Sequence, residues 1–370
     1  EATAARLDEL EDEVSARKNN QGKSENPNLS HLSEEALLSL LEEAAVSSDM
    51  RMDRLEALTQ RRPWLINDVL LRQHPHLVGE WQVRVGLCGD DVVRVLQTYA
   101  QATRTIDPAK AVGRLDRLWV SFADVYARAE QYADARGVYE RAVAVQYNKS
   151  EHAAQVWCRY AEMELLAGEG ERALVVLTRA TSSGGAADGS RNRVHQNVKV
   201  WAMLADVTES VRGPRAASAV YERALQLKIS TPQLVLTHVQ LLEELKDYSA
   251  AFRVLERAVT LFGYPAAAPV WLSYCRKFIE RYGGRKVERA RDLLEHAVSA
   301  APAEFARPLY LLYARFEEQH GMPRAMMRVL DRAVAQLPVG ERLDMYYVYI
   351  AKASEYFGAA KTRPIYDAAL

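Results

Sequence analysis

One five-residue phrase recurs eight times along this 370-residue chain, and no other feature limits its fold so severely. YAQAT (99–103), YERAV (139–143), LTRAT (177–181), YERAL (221–225), LERAV (255–259), LEHAV (294–298), LDRAV (330–334) and YDAAL (366–370) are versions of one another. Each carries alanine fourth: Ala102, Ala142, Ala180, Ala224, Ala258, Ala297, Ala333 and Ala369. The third place holds Arg141, Arg179, Arg223, Arg257 and Arg332, with Gln101, His296 and Ala368 in the other copies, and the mean spacing is about 38 residues.

Other columns move in step. Val138, Val176, Val220, Val254, Leu293, Val329 and Ile365 lie three places before the arginine column, and Ala135, Ala173, Ala217, Ala251 and Ala290 lie six before. Those offsets trace one helical face, small where a neighbour must come close and larger between. A second helix in each unit is marked by aromatics: Trp119, Trp157, Trp201, Tyr310 and Tyr346 precede the column by 22 residues, with Trp81 and Trp271 close to that offset. Each unit therefore reads helix, turn, helix. A single pair cannot bury its apolar face, so pairs must stack, and a period of this length is the signature of an α-solenoid. The expected fold is all-α: a right-handed superhelix of TPR-like helix pairs, about eight of them over residues 50–370, after an acidic leader over 1–49.

The leader separates by charge. Residues 1–60 carry 14 acidic and 6 basic side chains, whereas residues 61–370 carry 42 basic and 35 acidic ones, so the formal net charge of −1 conceals −8 followed by +7. A balance so near zero argues against nucleic acid as the primary ligand. Leu7, Leu10 and Val14 mark a short acidic helix, residues 18–30 a linker, and Ser33 the cap of a further helix; another, with Met52, Leu55 and Leu58, is expected to end at Pro63. Pro232, Pro265, Pro302 and Pro338 are expected to stop second helices, and the Gly- and Ser-rich residues 181–192 form a loop. A chain that starts without Met and stops at Leu370 within an amphipathic run is expected to be part of something longer. No stretch approaches the ~20 apolar residues needed to cross a bilayer, and no membrane partner is expected.

Chemistry-bearing constellations are few. Cys88, Cys158 and Cys275 are too far apart for a zinc clip or disulfide framework and read as thiols packed in helices. His74 and His76 have no carboxylate or thiol cluster to complete a metal site, Asp90-Asp91 after Gly89 reads as turn and N-cap, and Gly283-Gly284 lacks phosphate-loop spacing. No catalytic residue, metal or cofactor is expected. The tryptophans Trp119, Trp157, Trp201 and Trp271 are expected to anchor the repeats, and the arginine column to pair with an acid such as Glu164 or Glu209. One local patch stands out: seven basic residues lie between Arg276 and Arg291 against Glu280 and Glu288, and Arg281, Arg285, Lys286 and Arg289 are its candidate partner-binding residues.

The pairing of Trp or Tyr in the first helix with (Y/L)-(E/D)-R-A-(V/L) in the second resembles the HAT repeat, found largely in RNA-processing proteins. RRPWLINDVLLRQHPHLVGEW (61–81), KFIERYGGRKVERARDLLEHA (277–297) and LYLLYARFEEQHG (309–321) are similar to the Syf family of pre-mRNA-splicing factors, that of XPA-binding protein two, over its second half. The resemblance covers about residues 50–370. It implies a non-enzymatic nuclear scaffold of the NineTeen-associated complex in the spliceosome, near an Aquarius-type helicase and other HAT-repeat splicing factors, with peripheral contacts to RNA backbone and, in animals, a link to transcription-coupled repair. The alternatives are another HAT scaffold, of the crooked-neck or 3′-end cleavage type, or a helical-repeat protein that binds RNA directly. Base readers of that last kind need variable polar pairs at fixed places, and here the fixed places are apolar.

Overall fold

A computed structural model describes residues 34–182 and 193–369, with side chains from residue 46 onward. The expectations for Leu7, Leu10, Val14, the linker at 18–30, Ser33 and most of the 181–192 loop lie outside the described residues. Seventeen α-helices and a single 3-10 turn account for the regular structure among the described residues, and an isolated bridge between Leu77 and Val112 is the only β-pairing there. The chain divides into two compact units, one of residues 1–75 with 80–89 and one of residues 76–79 with 90–370.

In the first unit, α1 (Glu34–Gln73) is one helix that runs unbroken through Pro63, where the sequence predicts a helix end. The proline removes one backbone hydrogen bond, but the carbonyl it orphans belongs to the turn at Thr59, which is exposed and can bond to water. Helix α2 (Val78–Leu87) meets α1 through polar contacts: Asn67 Nδ2 donates to the Glu80 carbonyl at 2.9 Å, and Arg84 pairs with Asp68 while lying 5.7 Å from the Trp64 ring centre. Trp81 is buried and donates to the Pro75 carbonyl at 2.9 Å.

The second unit begins its helices with α3 (Val92–Thr105). Seven helix pairs follow: α4 (Leu115–Arg128) with α5 (Tyr132–Ala144), α6 (Ser150–Leu166) with α7 (Gly170–Thr181), and α8 (Val198–Arg212) with α9 (Pro214–Gln226). Next come α10 (Pro232–Glu244) with α11 (Tyr248–Leu261), α12 (Ala268–Tyr282) with α13 (Val287–Ala300), α14 (Ala303–His320) with α15 (Pro323–Gln336), and α16 (Val339–Phe357) with α17 (Ala359–Ala369). Each second helix touches the first helix of the following pair, and first helices also touch their successors, as α4 does α6 and α12 does α14. This is solenoid stacking.

The sequence columns become the core of that stack. The alanine column is fully or almost fully buried from Ala102 to Ala333, because each of these methyls sits where a neighbouring helix leaves no room for more. Trp119, Trp201 and Trp271 are buried and Trp157 half-buried. Turns within five of the seven pairs reverse the chain through a positive-φ residue, Glu130, Gly168, Gly213, Lys246 or Gly358, which closes the first helix tightly. Three of the four prolines act differently from expectation, while Pro265 lies in the turn between α11 and α12. Pro232 is the first residue of α10, and Pro302 and Pro338 cap α14 and α16, so they open the next helix, where a missing N–H costs nothing. Asp91 caps α3, its Oδ1 accepting from the Arg94 N–H at 3.2 Å.

Candidate functional site

The surface this fold presents is decided by where the repeated charges go. Along the second helices they form a ladder. Arg179 in α7 reaches back 39 residues and forks onto Glu140 in α5 at 2.8 and 3.0 Å; Arg332 in α15 does the same to Glu295 in α13, both bonds 2.8 Å, and Arg257 in α11 pairs with Glu222 in α9. The acid is always the residue just before the arginine column of the preceding repeat. Tyrosines of the intervening first helices reach the same column of acids, with or without an arginine opposite: Tyr160 donates to Glu140 at 3.1 Å, Tyr274 to Glu256 at 3.0 Å, Tyr313 to Glu295 at 2.9 Å and Tyr349 to Asp331 at 2.6 Å. Hydrogen bonds from Arg179 and Arg332 hold the Glu140 and Glu295 carboxyls below the usual range, and burial beside Glu140 pushes the Tyr160 hydroxyl up to about 12.

Arg179 also lies 5.3 Å from the Trp157 ring centre of its own pair, and where the acid is missing this ring contact remains. Arg223, which would meet Thr178, lies 5.9 Å from the Trp201 ring centre, and Arg141, which would meet Ala100, lies 6.0 Å from that of Phe122. The arginine column thus joins consecutive second helices, and its acids are neither Glu164 nor Glu209 as expected. Glu164 is buried and holds Arg136 instead, through bonds of 2.7 and 2.8 Å; Glu317 is likewise buried and forked by Arg291 at 2.6 and 2.9 Å. These arginines stand one turn and a half before the column, and no repeated spelling announced them. A shorter ladder links first helices, Lys277 to Glu243 and Lys352 to Glu318.

The basic patch occupies α12, its turn and the start of α13. The structure separates its members. Lys277 and Arg291 belong to the pairs just described. Arg281 lies 4.0 Å from the Tyr248 ring centre and the Lys286 ammonium 4.5 Å from that of Tyr282, cation–π contacts that hold both side chains near the surface. Arg276, Arg285 and Arg289 are exposed and form no ion pair among the described residues. The patch therefore offers three unneutralised guanidinium groups and two ring-backed cations.

The other sequence candidates resolve into structure. His76 Nδ1 accepts from the Asp107 N–H at 3.2 Å. No group of three or more His, Cys, Asp or Glu with metal-holding geometry occurs among the described residues. All three cysteines are buried; Cys158 and Cys275 lie in helices, where burial pushes their thiols up to about 11 and about 12, and Cys88 lies in the turn after α2, its thiol donating to the Arg84 carbonyl at 3.3 Å.

Comparison with known proteins connects this architecture to one group. Residues 108–370 match the Pre-mRNA-splicing factor Syf1/CRNKL1 C-terminal HAT repeat model, and residues 15–106 the SYF1 middle HAT repeat model. The chain is 43% identical over 336 residues to the Drosophila melanogaster pre-mRNA-splicing factor syf1 homolog, covering 89% of this chain and 38% of the relative. It is 42% identical to Homo sapiens SYF1, with 89% and 39% covered, and 36% identical to Schizosaccharomyces pombe cwf3, with 88% and 42% covered. The chain thus spans about two fifths of the length of these relatives. A helix-pair array joined by repeated rungs, matched through both of its segments by HAT-repeat models, places the chain in the Syf1/CRNKL1 HAT-repeat family of pre-mRNA-splicing factors.

Proposed function

We propose that the chain is a scaffold segment of the spliceosome, acting in pre-mRNA splicing in the nucleus by docking protein partners along its stacked helix pairs. The observation that carries this reading is family membership over both HAT segments. The ladder supports it: charges repeated from pair to pair engage one another and hold successive pairs in register, so a partner meets a preformed surface and ordering costs little on binding. The same engagement of the repeated acids favours a non-catalytic role. The resemblance in sequence points to an Aquarius-type helicase and other HAT-repeat splicing factors as partners. The patch of α12, its turn and α13 that carries Arg281, Arg285, Lys286 and Arg289 is the contact we assign to an acidic partner surface or RNA backbone.

Affinity purification of the tagged protein from nuclear extract tests the reading. Recovery of small nuclear RNAs and splicing proteins is expected, and recovery of neither would overturn it. The turn has its own test: Arg285→Glu with Lys286→Glu should leave helicity and melting nearly intact while one co-purified partner is lost. Unfolding of that variant would make the turn structural instead.

A further inference from the structure

The step from α15 to α17 breaks the ladder, as the step from α11 to α13 does at His296. Where Arg179, Arg257 and Arg332 reach back to an acid, the equivalent residue of α17 is Ala368. Asp331, the acid it faces in register, receives the Tyr349 hydroxyl but no guanidinium. In the space between α15, α16 and α17 lies a groove of about 1010 Å³, with both Asp331 and Ala368 in its lining. Met327, Val334, Tyr346, Phe357 and Ile365 make it apolar. Arg324, Arg328 and Lys361 also line it, are exposed, and form no ion pair among the described residues; Arg342 is a fourth cation, donating to the Leu337 carbonyl at 2.6 Å.

We propose that this groove docks an acidic amphipathic segment of a partner protein, its apolar side chains entering between the helices and its carboxylates meeting the three unpaired cations. Charge selects the occupant: four cations against one carboxylate favour an acidic ligand. The apolar lining and Asp331 favour a peptide over a polyphosphate chain, which needs a continuous basic track. An amphipathic helix laid in a groove is a recurrent mode of such recognition. The inference rests on different residues from the basic turn of α12–α13 and stands without it.

The test is fluorescence anisotropy on the 370-residue chain. The probe is a labelled peptide of about four helical turns, built from Glu, Asp and Ala with leucines on one face; a scrambled peptide and oligouridine serve as controls. The amphipathic peptide is expected to bind with a Kd of about micromolar order, and the scrambled one far more weakly. Arg324→Glu with Arg328→Glu and Lys361→Glu should weaken binding about tenfold or more. Ala368→Arg supplies the missing rung to Asp331 and fills the groove, so it should weaken binding about fivefold or more with helicity and melting retained. No binding, or equal binding by wild type and Ala368→Arg, overturns the proposal. Charge-reversal loss of oligouridine binding, with the peptide ignored, would make the groove a nucleic-acid surface. Self-association abolished by Ala368→Arg would make its occupant a second copy.

Discussion

His238 stands where other repeats place Phe122, Tyr160, Tyr274, Tyr313 or Tyr349. It stacks on Tyr221 with ring centres 5.2 Å apart, its Nε2 lies 3.1 Å from Ser218 Oγ, and burial pushes its pKa down to about 4, Glu222 opposing the shift and Arg257 adding to it. The folded protein therefore holds a neutral imidazole while the unfolded chain takes up a proton below its ordinary pKa of about 6.5. Stability from this residue is complete above that value and falls as pH drops towards 4, by up to about 3 kcal/mol. Thermal melts between about pH 7 and pH 5 should show the loss, and His238→Tyr, which restores the repeat's usual residue, should remove that component. Gly321 is a second constrained position, because a Cβ there would land on a carboxylate oxygen of Glu317. Gly321→Ala must move that carboxylate from Arg291, and a urea titration should register a loss of about 2–4 kcal/mol. The arginine column was legible in the sequence but its partners were not. Glu140 and Arg141 are neighbours that never meet; the glutamate serves the arginine of the next repeat, a relation that exists only after stacking.

At the scale of the element, one slot between consecutive pairs shows how freely the array changes its chemistry. Arg136 meets Glu164 there, Arg291 meets Glu317, and Phe252 meets Phe278 with ring centres 5.5 Å apart; the same two register positions carry Leu174 and Thr208 between α7 and α8. A buried ion pair is costly to break and cheap to replace whole. Arg136→Leu alone should destabilise by about 3–5 kcal/mol, because Glu164 is left buried and unpaired. Arg136→Leu with Glu164→Thr should recover more than half of that loss, read from urea midpoints. The alanine column has no such latitude: Ala224→Leu or Ala258→Leu should cost about 1–3 kcal/mol by forcing helices apart. Helix pairing and the apolar columns were legible because each repeats within the reach of one helix. The continuity of α1 through Pro63 was not, since it depends on solvent reaching a single carbonyl.

For the whole second unit, nearest-neighbour stacking makes stability close to a sum over repeats and the interfaces between them. Trp201 is almost fully buried and donates to the His195 carbonyl at 2.8 Å, in the middle of the stack. Trp201→Ala should remove about 3–5 kcal/mol and split the urea curve, followed by far-UV circular dichroism, into separate transitions. The groove at α15–α17 was invisible in the sequence because three helices must assemble before its lining converges. The ladder also bears on how such a chain avoids assembling wrongly. A rung built the same way at each step would accept any second helix in place of the right one, so a repeat could be skipped, or traded between two copies, without a bond being lost. Thr178, His296 and Ala368 spoil that equivalence. Seating α11 one place back, on α7, would set Arg257 against Thr178, and seating α13 on α9 would set His296 against Glu222, so at those steps the irregular repeats act as addresses that favour chain order.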